Sequence, residues 1–176
     1  MVWGIGEEEL DSTIAGKLTG RGLGLDDELC RENLEALVGD EAARGNCVRI
    51  DMEDSSTTDR TLQLYRELHA QGSVTFGVVL QAYLRRTVSD LPGLDNVRLC
   101  KGIYVESPEI AYSEFEAVRA NYLRSLEALV EHGSSLGIAT PHAHLTRRGF
   151  ALRRPAGPRP APARVPGPAP RRQPAP

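Results

Sequence analysis

The chain alternates strand-like and helix-like segments, with successive strand midpoints about 30 residues apart, the length of a βαβ unit. Five strand candidates recur at this spacing: residues 12–18 (STIAGKL), 46–52 (NCVRIDM), 73–83 (SVTFGVVLQAY), 96–104 (NVRLCKGIY) and 135–140 (SLGIAT). The third is a nearly continuous apolar run with β-branched residues, which suits a parallel strand buried on both faces. Between the strands the spacing turns helical. Asp26 or Asp27 can cap a helix to about Arg44, with Leu29, Leu34, Leu37 and Val38 on one face and Gly45-Asn46 ending it. Ser55 to Asp59 supplies a cap for a second helix that presents Leu62, Leu64, Tyr65 and Leu68 and breaks at Gly72. Asp90, Pro92 and Gly93 punctuate a turn. Ser107-Pro108 opens a long helix to about His132, with Pro108 at the first helical position, where the missing N–H costs nothing.

This order predicts an α/β fold whose parallel strands are joined by right-handed crossovers. A doubly wound sheet and a (β/α)8 barrel both fit. Five strands cannot close an eight-stranded barrel, which takes about 250 residues, whereas this chain has 176. No run reaches the roughly 18 apolar residues of a membrane helix. The opening MVWGIGEEELD has no basic n-region and no apolar h-region, so a cytoplasmic location is expected. Cys30, Cys47 and Cys100 cannot all pair and lie at no metal-ligand spacing, which fits a reducing compartment.

Charge divides the chain in two. All 24 acidic residues lie at or before Glu131, while residues 147–176 carry eight arginines and no acid. Nine of the twelve prolines fall at or after Pro155. The folded unit is therefore placed at 12–140, and residues 145–176 are expected to be a disordered Arg/Pro/Ala/Gly tail.

In parallel α/β folds, function gathers at the C-terminal ends of strands. Here every strand delivers a polar group to that rim: Lys17; then Asp51, Glu53 and Asp54; then Gln81 and Tyr83; then Arg98 and Lys101, with Tyr104 and Glu106 beyond; then Thr140, His142 and His144. Strand ends meet solvent in any case, so charge there is cheap. Arg98 is harder to dismiss. It sits between Val97 and Leu99, where a charge is costly unless paired. Arg98 with Lys101 suggests an anionic ligand, a phosphate or a carboxylate. The competing structural reading is an ion pair between Asp51 and Arg98. The glycines of GRGLG (20–24) lack the full dinucleotide fingerprint, and His142 and His144 lack a third ligand, so no metal site is expected.

At these residues the sequence resembles a known family. KLTGRGLGLD, VRIDMEDSSTTDRTLQLYREL, GVVLQAYLRRT, NVRLCKGIYVESPEIAY and the closing IAT are similar, in order, to motifs of the proline dehydrogenases. The resemblance implies part of a (β/α)8 barrel that binds FAD at the C-terminal face of its strands. It implies oxidation of L-proline to pyrroline-5-carboxylate, with hydride passing to the flavin and then electrons to a quinone, at the inner face of a membrane. L-proline and a quinone are the implied partners, and no nucleic acid is expected. By the same resemblance Lys17 lies near the substrate carboxylate, Asp51 in the active-site charge network and Tyr104 beside the substrate. Gln81 contacts the flavin, Arg98 stands near its reactive nitrogen, Lys101 holds the FAD phosphate, and Thr140 contacts the cofactor.

The match fails at Pro141, where the family pattern has His followed by Asp or Asn, and His142 is read as a displaced equivalent. The paired arginines Arg147-Arg148 and Arg153-Arg154 lack the tyrosine of the family's Y-x-x-R-R helix, so its carboxylate clamp is not carried over. The chain is thus expected to be a truncated piece of such an enzyme with impaired activity, its tail the product of a shifted reading frame. Two alternatives stand beside this: a catalytically inactive fragment, and a binding module working through a genuine basic tail.

Overall fold

The computed structural model describes residues 13–72, 76–140 and 142–152. Ser12, the opening of the third strand candidate at 73–75, Pro141 and the arginine- and proline-rich stretch 153–176 lie outside the described residues.

Five strands form one parallel sheet: β1 (Thr13–Lys17), β2 (Cys47–Asp51), β3 (Phe76–Gln81), β4 (Val97–Cys100) and β5 (Leu136–Ala139). Their spatial order is their sequence order, β1-β2-β3-β4-β5. A doubly wound sheet reverses its order at a switch point. This sheet has no reversal, so the ambiguity of the sequence resolves in favour of a partial (β/α)8 barrel.

The strands alternate between two faces. Val48 and Ile50 of β2, Phe76, Val78 and Leu80 of β3, and Val97 and Leu99 of β4 are buried and join the main core. Helix α1 (Asp27–Ala43) adds Leu34 and Val38, α2 (Ser55–Ala70) adds Leu62, Tyr65 and Leu68, and α4 (Phe115–Glu131) adds Tyr122, Leu126 and Leu129. The alternate residues point to what would be the barrel interior, and apart from the buried Val79 those of β2 to β5 include polar and small ones: Arg49 and Asp51, Gly77 and Gln81, Arg98 and Gly137. Register ties them into rows. Lys17 pairs with Asp51, Ile50 with Val78, Val79 with Arg98, and Arg98 with Gly137, so Lys17, Asp51 and Arg98 share one layer.

Local signals behave mostly as expected. Asp26 caps α1 by accepting from the Leu29 N–H, and Asp27 and Glu28 stand in its first turn, where the helix dipole favours them. Helix α2 begins at Ser55, but its cap is Asp54, just before the segment expected to supply it. The fourth candidate, 96–104, divides as a strand and its exit loop should: the strand stops at Cys100 and the loop runs on to Tyr104.

The long helix does not start at Pro108. The N–H groups of Ile110 and Ala111 turn back to the Ser107 carbonyl, Tyr112 donates to Tyr83 O, and Arg85 donates to Ile110 O. This antiparallel bridge around Leu84 and Ala111 uses the backbone that a first helical turn would need, and the helix begins at Phe115. A short helix, α3 (Thr87–Asp90), lies in the preceding connection. Residues 145–152, expected in the disordered tail, are instead helical: α5 spans Ala143–Leu152. Leu145 is buried, and Gly149 fits so closely that a Cβ there would stand 2.2 Å from Ile138 of β5. Packing on β5 and α4 therefore stabilises a segment whose composition alone suggested disorder.

Candidate active site

The C-terminal rim is built from strand ends and the loops after them. Lys17 ends β1, and its Nζ donates to the Tyr104 hydroxyl at 3.3 Å. This hydrogen bond and the charge interaction with Tyr104 raise the lysine above its ordinary pKa, so the exposed ammonium stays charged. In the same layer, Arg98 Nη2 donates to Asp51 Oδ1 at 2.5 Å. The ion pair of the structural reading therefore forms. Its side chains remain 34% and 31% exposed, so it adds little to stability by itself. It does fix the Arg98 guanidinium on the inner face.

Gln81 ends β3 and is 2% exposed, yet its Oε1 has no hydrogen-bond partner among the described residues. A buried amide oxygen left unpaired costs about 1–3 kcal/mol. Such an atom is tolerated where a ligand N–H can meet it.

A second group sits at the exits of β4 and β5. Lys101 Nζ lies 5.8 Å from the centre of the Phe115 ring, and the His142 ring stands 5.4 Å from that same ring. Thr140 Oγ1 accepts from the His142 N–H at 3.2 Å, which leaves its own O–H available to donate. Lys101 makes no ion pair among the described residues. The residues singled out in sequence thus fall into three sets: Lys17 with Tyr104, Asp51 with Arg98, and Lys101, Thr140 and His142 around Phe115. Gln81 stands apart from all three.

Sequence reasoning missed several participants. Phe115, a half-exposed aromatic that joins Lys101 to His142, fell inside an expected helix. Glu53 accepts from the Thr19 N–H and Oγ1, and Glu106 accepts from the Ser55 N–H and Oγ. Both acids lie at strand exits, but nothing in the sequence pairs them with those partners. Tyr83, Tyr104, Glu106 and Tyr112 line a small cleft of about 180 Å³ beside the loop after β4. The Tyr83 hydroxyl is buried without a partner among the described residues, and burial pushes its pKa up to about 12.

The inner face and rim carry the cations Lys17, Arg49, Arg98 and Lys101 and the acids Asp51, Glu53, Asp54 and Glu106. Each acid is engaged within the fold, whereas Lys101 forms no ion pair among the described residues, which suits an anionic ligand at that point. Arg49 is spent partly within the fold, donating from Nη2 to Asn96 Oδ1 at 2.7 Å.

No family model matches the chain. Proline dehydrogenase 2 of Bacillus subtilis (strain 168) is 34% identical over 140 residues, which are 77% of this chain and 46% of that protein. The proline dehydrogenase of Deinococcus radiodurans is 33% identical over 132 residues, 70% of this chain and 43% of that protein. The chain therefore spans about half the length of the curated relatives it matches. Among solved structures, proline utilization A of Bradyrhizobium japonicum superposes with a TM-score of 0.70 at 18% identity, over 80% of this chain and 18% of that one. That likeness concerns the fold, and the fold it shares is the one the strand order requires. Sequence similarity along most of the chain and a common barrel architecture make this protein a relative of the proline dehydrogenases.

Proposed function

We propose that the chain carries the cofactor- and substrate-facing strands of a flavin-dependent enzyme that oxidises L-proline to pyrroline-5-carboxylate. The observation that supports this best is the buried Oε1 of Gln81, unpartnered among the described residues, on a rim that also presents Lys17, Arg98 and Lys101. An acceptor beside several positive groups suits a ligand with an N–H edge and an anionic remainder, and FAD has both. When bound, FAD supplies the acceptor for the hydride leaving the proline ring carbon beside nitrogen.

The residues divide the work as follows. Lys17 holds the proline carboxylate, and its raised pKa keeps it cationic. Tyr104, hydrogen-bonded to Lys17, forms the wall beside the substrate ring. Asp51 anchors Arg98, so that one guanidinium stands fixed near the cofactor and favours negative charge there. Gln81 accepts a cofactor N–H. Lys101 faces phosphate, and Thr140 and His142 complete that side. A quinone is the expected electron acceptor, reached from the cytoplasmic face of a membrane. Among the described residues no helix is long and apolar enough to cross one.

The test is reconstitution of the full chain. Purified protein mixed with FAD and desalted should retain the flavin absorbance, and anaerobic L-proline should bleach it. Gln81→Leu and Lys101→Ala should each weaken retention. A folded chain that retains no flavin at micromolar concentrations refutes the proposal. Retained flavin that proline cannot bleach would favour the inactive-fragment reading.

A further inference from the structure

The loop after β4 crosses the rim with little to hold it. Gly102 leaves the strand at φ +106, where a Cβ would stand 2.0 Å from the Tyr83 ring. Beyond it, residues 103–106 take part in no backbone–backbone hydrogen bond among the described residues. Apolar contact holds only one of them, Tyr104, which packs partly against Tyr83, Leu84 and Ala111, since Ile103 is 86% and Val105 101% exposed. The chain alternates here as a strand would, with Ile103 and Val105 turned outward and Tyr104 and Glu106 turned to partners.

Two side chains therefore anchor the loop. Tyr104 meets the exposed Lys17, and a contact of that kind is weak in water. Glu106 is different. One carboxylate oxygen accepts the Ser55 N–H and the other accepts the Ser55 Oγ–H, both at 2.7 Å. Ser55 is the first residue of α2, where free N–H groups and the helix dipole favour an anion. Bonds to an ionised acceptor are about twice as strong as neutral ones.

We infer that Glu106 is a positioning residue: by accepting both hydrogens of Ser55 it holds Tyr104 against Lys17 and thereby sets the shape of the substrate end of the site. The substrate clause rests on the proposed proline oxidation; the latch itself does not. Ser55 and Glu106 touch neither the cofactor nor the substrate in this scheme and act only through Tyr104.

The latch can be tested on the full chain without cofactor. Lys17 ε-ammonium titration and the Lys17–Tyr104 nuclear Overhauser contact are measured in the wild type and in Glu106→Ala, Glu106→Gln and Ser55→Ala. In Glu106→Ala the contact should vanish and the Lys17 midpoint should fall toward the ordinary lysine value. The Ser55 amide, which donates to Glu106, should exchange roughly tenfold faster or more, the effect of losing a hydrogen bond to a charged group. Glu106→Gln and Ser55→Ala each keep part of the latch and should give intermediate shifts. Protection of the β3 amides of Val78 and Leu80 reports whether the fold survives. If Glu106→Ala does not fold, Ser55→Ala decides. An unchanged Lys17 midpoint and contact in a folded variant overturns the latch. In flavin-loaded protein, Glu106→Ala should raise KM for L-proline about tenfold while changing kcat less. A wild-type chain that binds no proline would sink the functional reading and leave the titration to judge the latch.

Discussion

Replacing Gln81 by leucine should make the cofactor-free chain more stable, and bound cofactor should cancel most of that gain. Gln81 is 2% exposed and its Oε1 is unpaired, so the fold carries the desolvation of an amide oxygen with nothing in return. Relieving that burden is worth about 1–3 kcal/mol. Leucine is branched where glutamine is not, so local strain offsets part of the gain, and a net of roughly 1–2 kcal/mol is expected. For a chain of this size that raises Tm by about 2–4 °C per kcal/mol. With FAD most of the gain is lost, because Gln81 then has its partner and leucine does not. Removing such a bond should weaken flavin binding by about tenfold, equivalent to about 1.4 kcal/mol. Thermal unfolding of both proteins, with and without FAD, reads the two effects together. A Gln81→Leu chain less stable than wild type in the absence of FAD would show that the amide is satisfied, and the argument for a ligand at that atom would fail.

Other expectations follow from the same geometry. Gly102→Ala combines a positive φ with a Cβ 2.0 Å from the Tyr83 ring, so denaturant unfolding should show a loss of about 2–4 kcal/mol. Tyr83→Phe removes a buried hydroxyl that has no partner among the described residues and should be neutral or stabilising, whereas Tyr122→Phe removes a bond to Leu99 O and should cost about 1 kcal/mol in the same assay. Burial raises both Tyr83 and Tyr122 to about 12, above the ordinary value of 10.0. The unfolded chain therefore loses these protons first, and the stability they contribute should be full below pH 10 and fall between about pH 10 and 12. Unfolding midpoints measured across that range, in wild type and in Tyr122→Phe, check the sign. Asp51→Asn leaves Arg98 half-exposed and unpaired; it should cost no more than about 1 kcal/mol of stability, yet flavin-loaded protein should lose most of its turnover as Arg98 swings from place.

Much of this was legible in the sequence because strand and helix periods differ and turn residues mark their ends. Asp26, Gly45 and Gly72 bounded elements by local chemistry alone. What failed depended on distant partners. Pro108 is a good first helical residue, but Tyr83 and Arg85 claim the backbone around it. Helix α5 was hidden by arginine-rich composition, since only the burial of Leu145 and the placement of Gly149 against Ile138 explain it. Periodicity alone could not choose between a doubly wound sheet and a barrel, because both are strings of βαβ units that only the pairing order separates; the family resemblance pointed to the barrel. The site followed the same rule. The residue types at strand exits were visible, while Phe115 between Lys101 and His142, and Glu106 on a serine 51 residues away, required the fold.

The sequential strand order also governs how the molecule can be assembled in time. Each strand pairs with the strand that precedes it in the chain, so no pairing waits for a remote segment. Local pairing of this kind lowers the entropy lost in closing loops and favours growth strand by strand as the chain emerges during synthesis. The hydrogen bond from Lys17 to Tyr104 is the exception, since it closes a loop of 87 residues. It can form only after β2, β3 and β4 are in place and the loop beyond them has settled. The rim should therefore be the last part of the nascent protein to mature, well after its core is protected from exchange.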